Sequence, residues 1–231
     1  MLSDIIDHSS TGVAERLGEF FDDGAIAARF AVGYLFFKGI VSLADDIATL
    51  PEVYLLIGNV VNRLTVEQMQ EETLNRPRGG EGLVRDQEDV ASTLRTVHDR
   101  FAVETALNVR RTIEGLERTP EMRKLLLTLA RRIADRGLKV RVYREGRLHS
   151  KLCLVEYPKS GPGGVAIVGA SNVTLGGQPH RTELNVIVRD ENSIKELRCW
   201  YDDLWNRSQD FQRELFDELG ASWAFTENVE E

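Results

Sequence analysis

The stretch that decides the fold is Leu148-His149-Ser150-Lys151-Leu152-Cys153-Leu154-Val155-Glu156, followed by Gly169-Ala170-Ser171-Asn172. Its residues alternate as in a strand, so His149 and Lys151 are predicted to point to the same side. An imidazole beside a fixed ammonium suits attack on a phosphodiester. On its own, the pair of His149 and Lys151 would be interpreted as two surface residues. Gly169-Ala170-Ser171-Asn172 on its own would be interpreted as a plain turn.

Working outward, hydrophobic patterns predict strands and helices that alternate on both sides of this stretch. A strand at 29–35, a helix at 36–50 closed by Pro51 and a strand at 53–58 form a βαβ unit, which implies parallel pairing. Further strands are predicted at 139–143, 148–155, 165–168 and 183–188, followed by helices at about 193–206 and 209–219. The predicted fold class is α/β, a mixed β-sheet flanked by helices on both faces.

The whole chain, 1–231, is predicted to be a single domain with a helical insert at about 63–136 and C-terminal helices at about 190–220. Within the insert, Pro120 follows Thr119 as the first residue of a helix, which Gly137 ends. The insert is longer than a βα connection needs, so it is expected to form a helical layer or cap. Residues 1–24 are expected to form a short amphipathic helix.

Composition indicates an ordinary globular protein, with 42% hydrophobic and 29% charged residues. No apolar run reaches the length of a membrane span, and the start of the sequence lacks the pattern of a signal peptide. Two cysteines, Cys153 and Cys199, provide neither a disulfide framework nor a metal cluster. A cytoplasmic location is expected.

Charge is distributed unevenly along the chain. The net charge is −8, yet residues 110–151 hold thirteen Lys or Arg against five Asp or Glu, a local charge of +8. A basic face beside the His/Lys stretch suits an anionic polymer. The alternative is that these arginines only form the solvated side of a helix.

These motifs resemble the signature of the phospholipase D superfamily. Its His-Lys-Asp motif corresponds to His149, Lys151 and Glu156, and its trailing Gly-Ser-x-Asn corresponds to residues 169–172. The surrounding sequence, about 28–60 and 137–207, resembles the nuclease-like domain found at the N-terminus of certain bacterial and archaeal superfamily 2 helicases. The insert and the tail lie outside this resemblance.

The resemblance implies a role for each site residue. His149 would attack phosphorus and form a phosphohistidine, while Lys151 and Asn172 would hold the non-bridging oxygens. Glu183 would accept a hydrogen bond from His149 and fix its tautomer. Ser171 and Arg181 are expected to bind the phosphate, and Glu156 and Gly169 to support the site. No metal and no cofactor are expected.

The chain contains one copy of the motif, whereas the family builds its site from two. The resemblance therefore implies a homodimer in which the His149 residues of both copies face each other. Three positions depart from the family pattern: Glu156 replaces aspartate, Ala170 replaces serine, and Arg181 stands where asparagine is frequent. The four proposed catalytic residues match the family pattern: His149, Lys151, Asn172 and Glu183.

The expected function is metal-independent hydrolysis of nucleic acid, with DNA favoured over RNA. An alternative is a DNA-docking and dimerisation module of a helicase or restriction-type system that cleaves weakly, and a helicase module C-terminal to this chain is a further expected partner. A third possibility is a phospholipid-processing enzyme. The net charge of −8 and the lack of a membrane-binding segment count against that possibility.

Overall fold

The computed structural model describes residues 4–7, 12–33, 35, 37–58, 103–146, 148–158, 163–169 and 184–226. The strands are β1 (Ile5–Asp7), β2 (Ala27–Val32), β3 (Glu52–Gly58), β4 (Leu138–Tyr143), β5 (Leu152–Glu156), β6 (Gly164–Gly169), β7 (Leu184–Val188) and β8 (Gln209–Asp210). The helices are α1 (Val13–Asp22), α2 (Phe37–Ile40), α3 (Ala44–Thr49), α4 (103–114), α5 (Pro120–Ala134), α6 (Glu191–Asn206), α7 (Gln212–Gly220) and α8 (Trp223–Thr226).

The described strands form one mixed sheet in the order β1-β7-β6-β5-β2-β3-β4-β8. Strands β2, β3 and β4 are parallel to one another, and the other neighbours are antiparallel. The predicted parallel βαβ pairing is thereby confirmed. Because of these directions, the carboxyl ends of β2, β3, β4 and β6 share one edge with the amino ends of β5 and β7.

Helices cover both faces of the sheet, as predicted. The larger core cluster packs α1, α3, α4, α5, α7 and α8 against one face, and the smaller cluster packs α6 against the other. Strands β5 and β6 are therefore buried on both faces and are almost continuously apolar. None of the described helices combines the length and hydropathy needed to cross a membrane.

Local sequence signals placed several elements correctly. Thr119 is the N-cap of α5, and its hydroxyl accepts a hydrogen bond from the backbone N–H of Met122 at 3.2 Å. Pro120 is the first residue of that helix, where it needs no N–H donor. Asp190 caps α6 in the same way through Ser193.

Two predicted elements are wrong in detail. The single helix at 36–50 is instead α2, a 3₁₀ turn at Val41–Leu43 and α3. A 3₁₀ turn has three residues per turn, fewer than an α-helix. It therefore rotates the buried face of α3 relative to that of α2. The expected helix at 1–24 is also wrong, since Ile5–Asp7 pairs with β7 as a strand and only α1 is helical.

The predicted insert at 63–136 connects β3 to β4, and its described part does not stand apart from the sheet. Side chains of α4 and α5 are buried in the larger core cluster, among them Val109, Ile113, Leu125 and Leu129. Residues 59–102 lie outside the described residues.

Candidate active site

The site-bearing segment 148–151 lies just before β5 and not within it. The prediction that His149 and Lys151 belong to the strand is wrong, because the ladder with β2 ends at the pair of Ala31 and Leu152. Among the described residues, one backbone bond continues beyond it, from the N–H of Gly169 to the carbonyl of Lys151 at 3.2 Å. The segment therefore leaves the ladder and crosses the edge of the sheet.

Two glycines make this crossing possible. A Cβ added at Gly58 would lie 2.5 Å from the carbonyl oxygen of Gly33 and 3.0 Å from that of Leu148. A Cβ at Gly33 would lie 3.1 Å from the same Leu148 oxygen. The carboxyl ends of β2 and β3 thus need glycine so that the backbone at Leu148 can pass over them.

His149 is exposed at the end of this crossing, and Lys151 is half-buried. The ammonium of Lys151 donates to the carbonyl oxygen of His149 at 3.3 Å. The leucine side chain at position 148, by contrast, is buried in the cluster under α6. Packing of that leucine fixes the backbone, while the imidazole and ammonium remain accessible to a substrate.

Gly169, the last residue of β6, lies between Lys151 and the start of β7. Its N–H bonds the Lys151 carbonyl, and a Cβ at this position would contact the side chain of Asn185 and would lie 2.5 Å from the carbonyl oxygen of Leu184. The two residues that flank segment 170–183 are therefore adjacent to each other, and Gly169 is also adjacent to the Lys151 backbone. Within that segment, Ser171, Asn172, Arg181 and Glu183 lie outside the described residues, so their roles stay predictions.

Glu156 lies at the other end of β5, where it faces α6. Its carboxylate contacts the guanidinium of Arg29 at 3.1 Å and that of Arg198 at 2.5 Å, and only 12% of its side chain is exposed. Five residues of extended chain separate it from Lys151, a distance of about 17 Å. Its contacts hold β2, β5 and α6 together and are remote from the imidazole.

Arg144 is a cation at the same edge that the sequence patterns did not single out. It directly follows β4, whose last residue Tyr143 pairs with Gly58. The Nε and Nη1 atoms of Arg144 are shielded from solvent and have no hydrogen-bond partner. A signal was present, because ligands of open α/β sheets bind beyond the carboxyl ends of parallel strands.

A cavity of about 280 Å³ opens beside Gly58 on the α4 side of the sheet. Thr105 lines it with a hydroxyl that has no hydrogen-bond partner and a side chain only 1% exposed. The other described lining residues are Leu35, Ile57, Asn108, Val109, Arg111 and Thr112. Since Gly58 lies against Leu148, the cavity adjoins the segment that carries His149.

No group of three or more His, Cys, Asp or Glu that could hold a metal ion occurs among the described residues. Cys153 is fully enclosed in the core, and burial raises the pKa of its thiol far above the ordinary value. Cys153 is therefore an inert core thiol.

The fold and this edge define an α/β protein with an accessible His/Lys pair on a mixed sheet. The family model described as "Cardiolipin synthase, PLD-like domain" matches residues 86–205, just over half of the chain. The chain therefore belongs to this family of phospholipase D-like domains. The match includes residues 86–136, which belong to the predicted insert.

Two curated relatives are similar over part of the chain. Both are cardiolipin synthase 1 of Staphylococcus aureus, from strains COL and MRSA252, and each is 29% identical over 93 residues, which is 40% of this chain. The aligned region spans only 18% of the length of these relatives.

Solved structures with detectable similarity include the phospholipase D family member Nuc from Salmonella typhimurium, with 13% identity over 89% of this chain and 96% of Nuc, at a TM-score of 0.41. Phosphatidylserine synthase of Haemophilus influenzae is 13% identical over 90% of this chain and 39% of the synthase, at a TM-score of 0.47. The family assignment rests on the family model and not on these distant likenesses.

Proposed function

We propose that this chain hydrolyses phosphodiester bonds of nucleic acid, DNA in preference to RNA, without a metal ion. The observation that carries the proposal is the accessible imidazole of His149 next to the Lys151 ammonium, at the edge where segment 170–183 begins and ends. Membership of a phospholipase D-like family supports phosphodiester chemistry at this pair.

In the proposed reaction, an imidazole nitrogen of His149 attacks phosphorus, and the bond from phosphorus to the leaving alcohol oxygen breaks. A second imidazole gives that oxygen its proton and then takes a proton from water, which attacks the phosphohistidine and regenerates His149. Lys151 and Asn172 balance the charge on the non-bridging oxygens, with Ser171 and Arg181 as further phosphate contacts. Glu183 orients the His149 ring.

The second imidazole is assigned to the His149 of another copy of this chain. Support comes from an exposed apolar strip on β1 and β7, formed by Ile5, Leu184 and Val186, with 54%, 55% and 43% exposure. Ile5 and Val186 are register partners, and Leu184 adjoins Gly169 at the candidate site. An isologous contact through this strip would bury apolar surface and bring two site edges together.

The nuclease assay compares wild type, His149→Ala and His98→Ala in EDTA on single- and double-stranded DNA and RNA. Cleavage that persists in EDTA, is lost in His149→Ala and is kept in His98→Ala is the expected result. Wild type and His149→Ala are mixed with ³²P-labelled DNA and quenched in alkaline SDS, because a phosphohistidine is labile in acid, and only wild type should yield labelled protein. EDTA-sensitive cleavage, or full activity of His149→Ala, would contradict the proposal.

The dimer is tested separately by sedimentation of wild type and Val186→Asp. We expect a wild-type dimer and a Val186→Asp monomer that retains its circular dichroism spectrum but has lost nuclease activity. A fully active wild-type monomer would contradict the shared site. DNA binding without cleavage by either preparation would instead favour the docking-module alternative, with a helicase module C-terminal to this chain as its proposed partner.

A second candidate is phospholipid chemistry, which the similarity to the two cardiolipin synthases favours. The same histidine mechanism could transfer a phosphatidyl group to an alcohol in place of water. Incubation of the protein with phosphatidylglycerol vesicles, followed by analysis of cardiolipin and released glycerol, distinguishes this activity. Product that depends on His149, together with no nuclease activity, would replace the leading proposal.

A further inference from the structure

Among the described arginines with solvent-shielded side-chain nitrogens, Arg144 differs in its lack of a partner. Solvent-shielded, unbonded nitrogens also occur on Arg16, Arg132 and Arg198, but each of these side chains contacts a carboxylate. Arg144 makes no hydrogen bond or ion pair within the described part of the chain, and two of its nitrogens are shielded. Its neighbour Glu145 is paired with Arg207 at 2.6 Å.

A shielded guanidinium without an anion is unfavourable, because the charge has lost water and gained nothing in return. Desolvation accordingly lowers the pKa of Arg144. An arginine cannot relieve this cost by deprotonation at neutral pH, and the adjacent Glu145 offsets it only by a Coulombic attraction, so a bound anion would supply the direct hydrogen bonds that the shielded nitrogens lack. A planar fork of N–H donors matches a phosphate better than a point charge does.

The position of Arg144 relates it to the proposed site. Tyr143 pairs with Gly58, and Gly58 lies directly beneath Leu148, so one strand spacing separates β4 from the segment that carries His149. Arg144 and His149 each follow these residues by one position, so both lie at the same edge of the sheet. Their side chains can therefore contact the same bound polynucleotide.

We propose that Arg144 binds a second phosphate of a polynucleotide, next to the phosphate at which the bond is cleaved. This inference rests on the proposed function and adds a specificity-determining residue to it. Consecutive phosphates along a strand supply anions at short, regular spacing, which a substrate with a single phosphodiester lacks. The local charge of +8 over residues 110–151 likewise favours an anionic polymer as the ligand.

The test compares Arg144→Gln with Arg131→Gln, the loss of an exposed arginine on α5. For an oligonucleotide, Arg144→Gln should raise KM about ten- to a hundredfold, with kcat nearly unchanged. For bis(p-nitrophenyl) phosphate, which has one phosphate, both constants should stay at the wild-type values. Arg131→Gln should resemble wild type with both substrates.

A binding experiment keeps the inference testable if no cleavage is found. Fluorescence anisotropy with a labelled oligonucleotide would compare His149→Ala with His149→Ala/Arg144→Gln over a range of salt concentrations. The second variant should bind at least tenfold more weakly, with a salt dependence reduced by about one counterion.

Three results would overturn the inference about Arg144. The first is equal oligonucleotide affinity of the two variants, or no binding by His149→Ala at all. The second is equal loss of activity on both substrates, which would indicate a structural role. The third is loss of binding to cardiolipin vesicles with unchanged oligonucleotide affinity, which would assign Arg144 to a lipid phosphate.

Discussion

The Oε2 atom of Glu156 lies 3.1 Å from the Nε atom of Arg29, with both side chains mostly enclosed between the sheet and α6. The motif position that the family fills with aspartate therefore acts at the end of β5 opposite His149. Arg29 also lies over the ring of Tyr54 at 4.5 Å and contacts Asp202 on α6 at 3.3 Å. The motif thus extends from the proposed site at His149 to ion-pair packing at Glu156.

Glu156→Gln should lower stability and leave substrate affinity intact. Removal of this carboxylate charge leaves Arg29 and Arg198 partly buried with one counter-ion fewer, at a cost of about 2 kcal/mol in the free energy of unfolding. Urea denaturation and the KM of the folded enzyme measure the two effects. Glu117→Gln, at the exposed pair with Lys38, is the control and should change stability by less than about 0.5 kcal/mol. A large rise in KM would place Glu156 in the site instead.

Gly58→Ala should destabilise the protein and displace the segment that carries His149. The new methyl would lie 2.5 Å from the carbonyl oxygen of Gly33 and 3.0 Å from that of Leu148. Both are backbone atoms, so relief of the clash requires the backbone to shift. Gly18→Ala is the matched control, because nothing lies within 4 Å of the added Cβ and the residue is in the middle of α1. That control should raise stability by about 0.5–1 kcal/mol. Thermal denaturation of both variants measures these effects. A Tm of Gly58→Ala equal to that of wild type would contradict the close packing at Gly58.

The two cysteines should react at very different rates. Cys153 is buried with a raised thiol pKa, whereas Cys199 is exposed on α6. At pH 8 we expect one thiol per chain to react quickly with a disulfide reagent in the native protein, and two in denaturant. Cys199→Ser should abolish the fast reaction. Fast labelling that persists in Cys199→Ser would show that the core opens around β5.

Asp46→Asn should stabilise the protein at neutral pH. Burial, followed by the nearby charges of Asp22 and Asp45, raises the pKa of Asp46. A carboxyl with a raised folded-state pKa favours the folded state below its unfolded pKa, and this benefit is lost as pH rises through the folded value. The gain of Asp46→Asn over wild type should therefore be largest near pH 7 and vanish towards pH 3, as followed by thermal unfolding. A gain that is independent of pH would show that charge is not its cause.

Much of the architecture followed from local patterns. Alternation and apolar runs predicted the central strands, and the Thr119-Pro120 start of α5 was predicted to the residue because capping depends on groups within one turn. The break between α2 and α3 was not predicted, since helical spacing is nearly the same with and without one tighter turn. The strand at Ile5–Asp7 was missed because it exists only through pairing with β7, far along the chain.

The sequence by itself determined the α/β class, the parallel βαβ unit and the pairing of an imidazole with an ammonium two residues away. These features depend on residue type and on spacing over a few positions, which a linear pattern contains. Only the tertiary structure decided that His149 and Lys151 lie on a crossing segment before β5, because the contacts of Gly33 and Gly58 with Leu148 join residues far apart in the chain. It likewise decided that Glu156 belongs to the packing under α6 and that two nitrogens of Arg144 are shielded with no carboxylate partner among the described residues, since burial and pairing are properties of the folded chain.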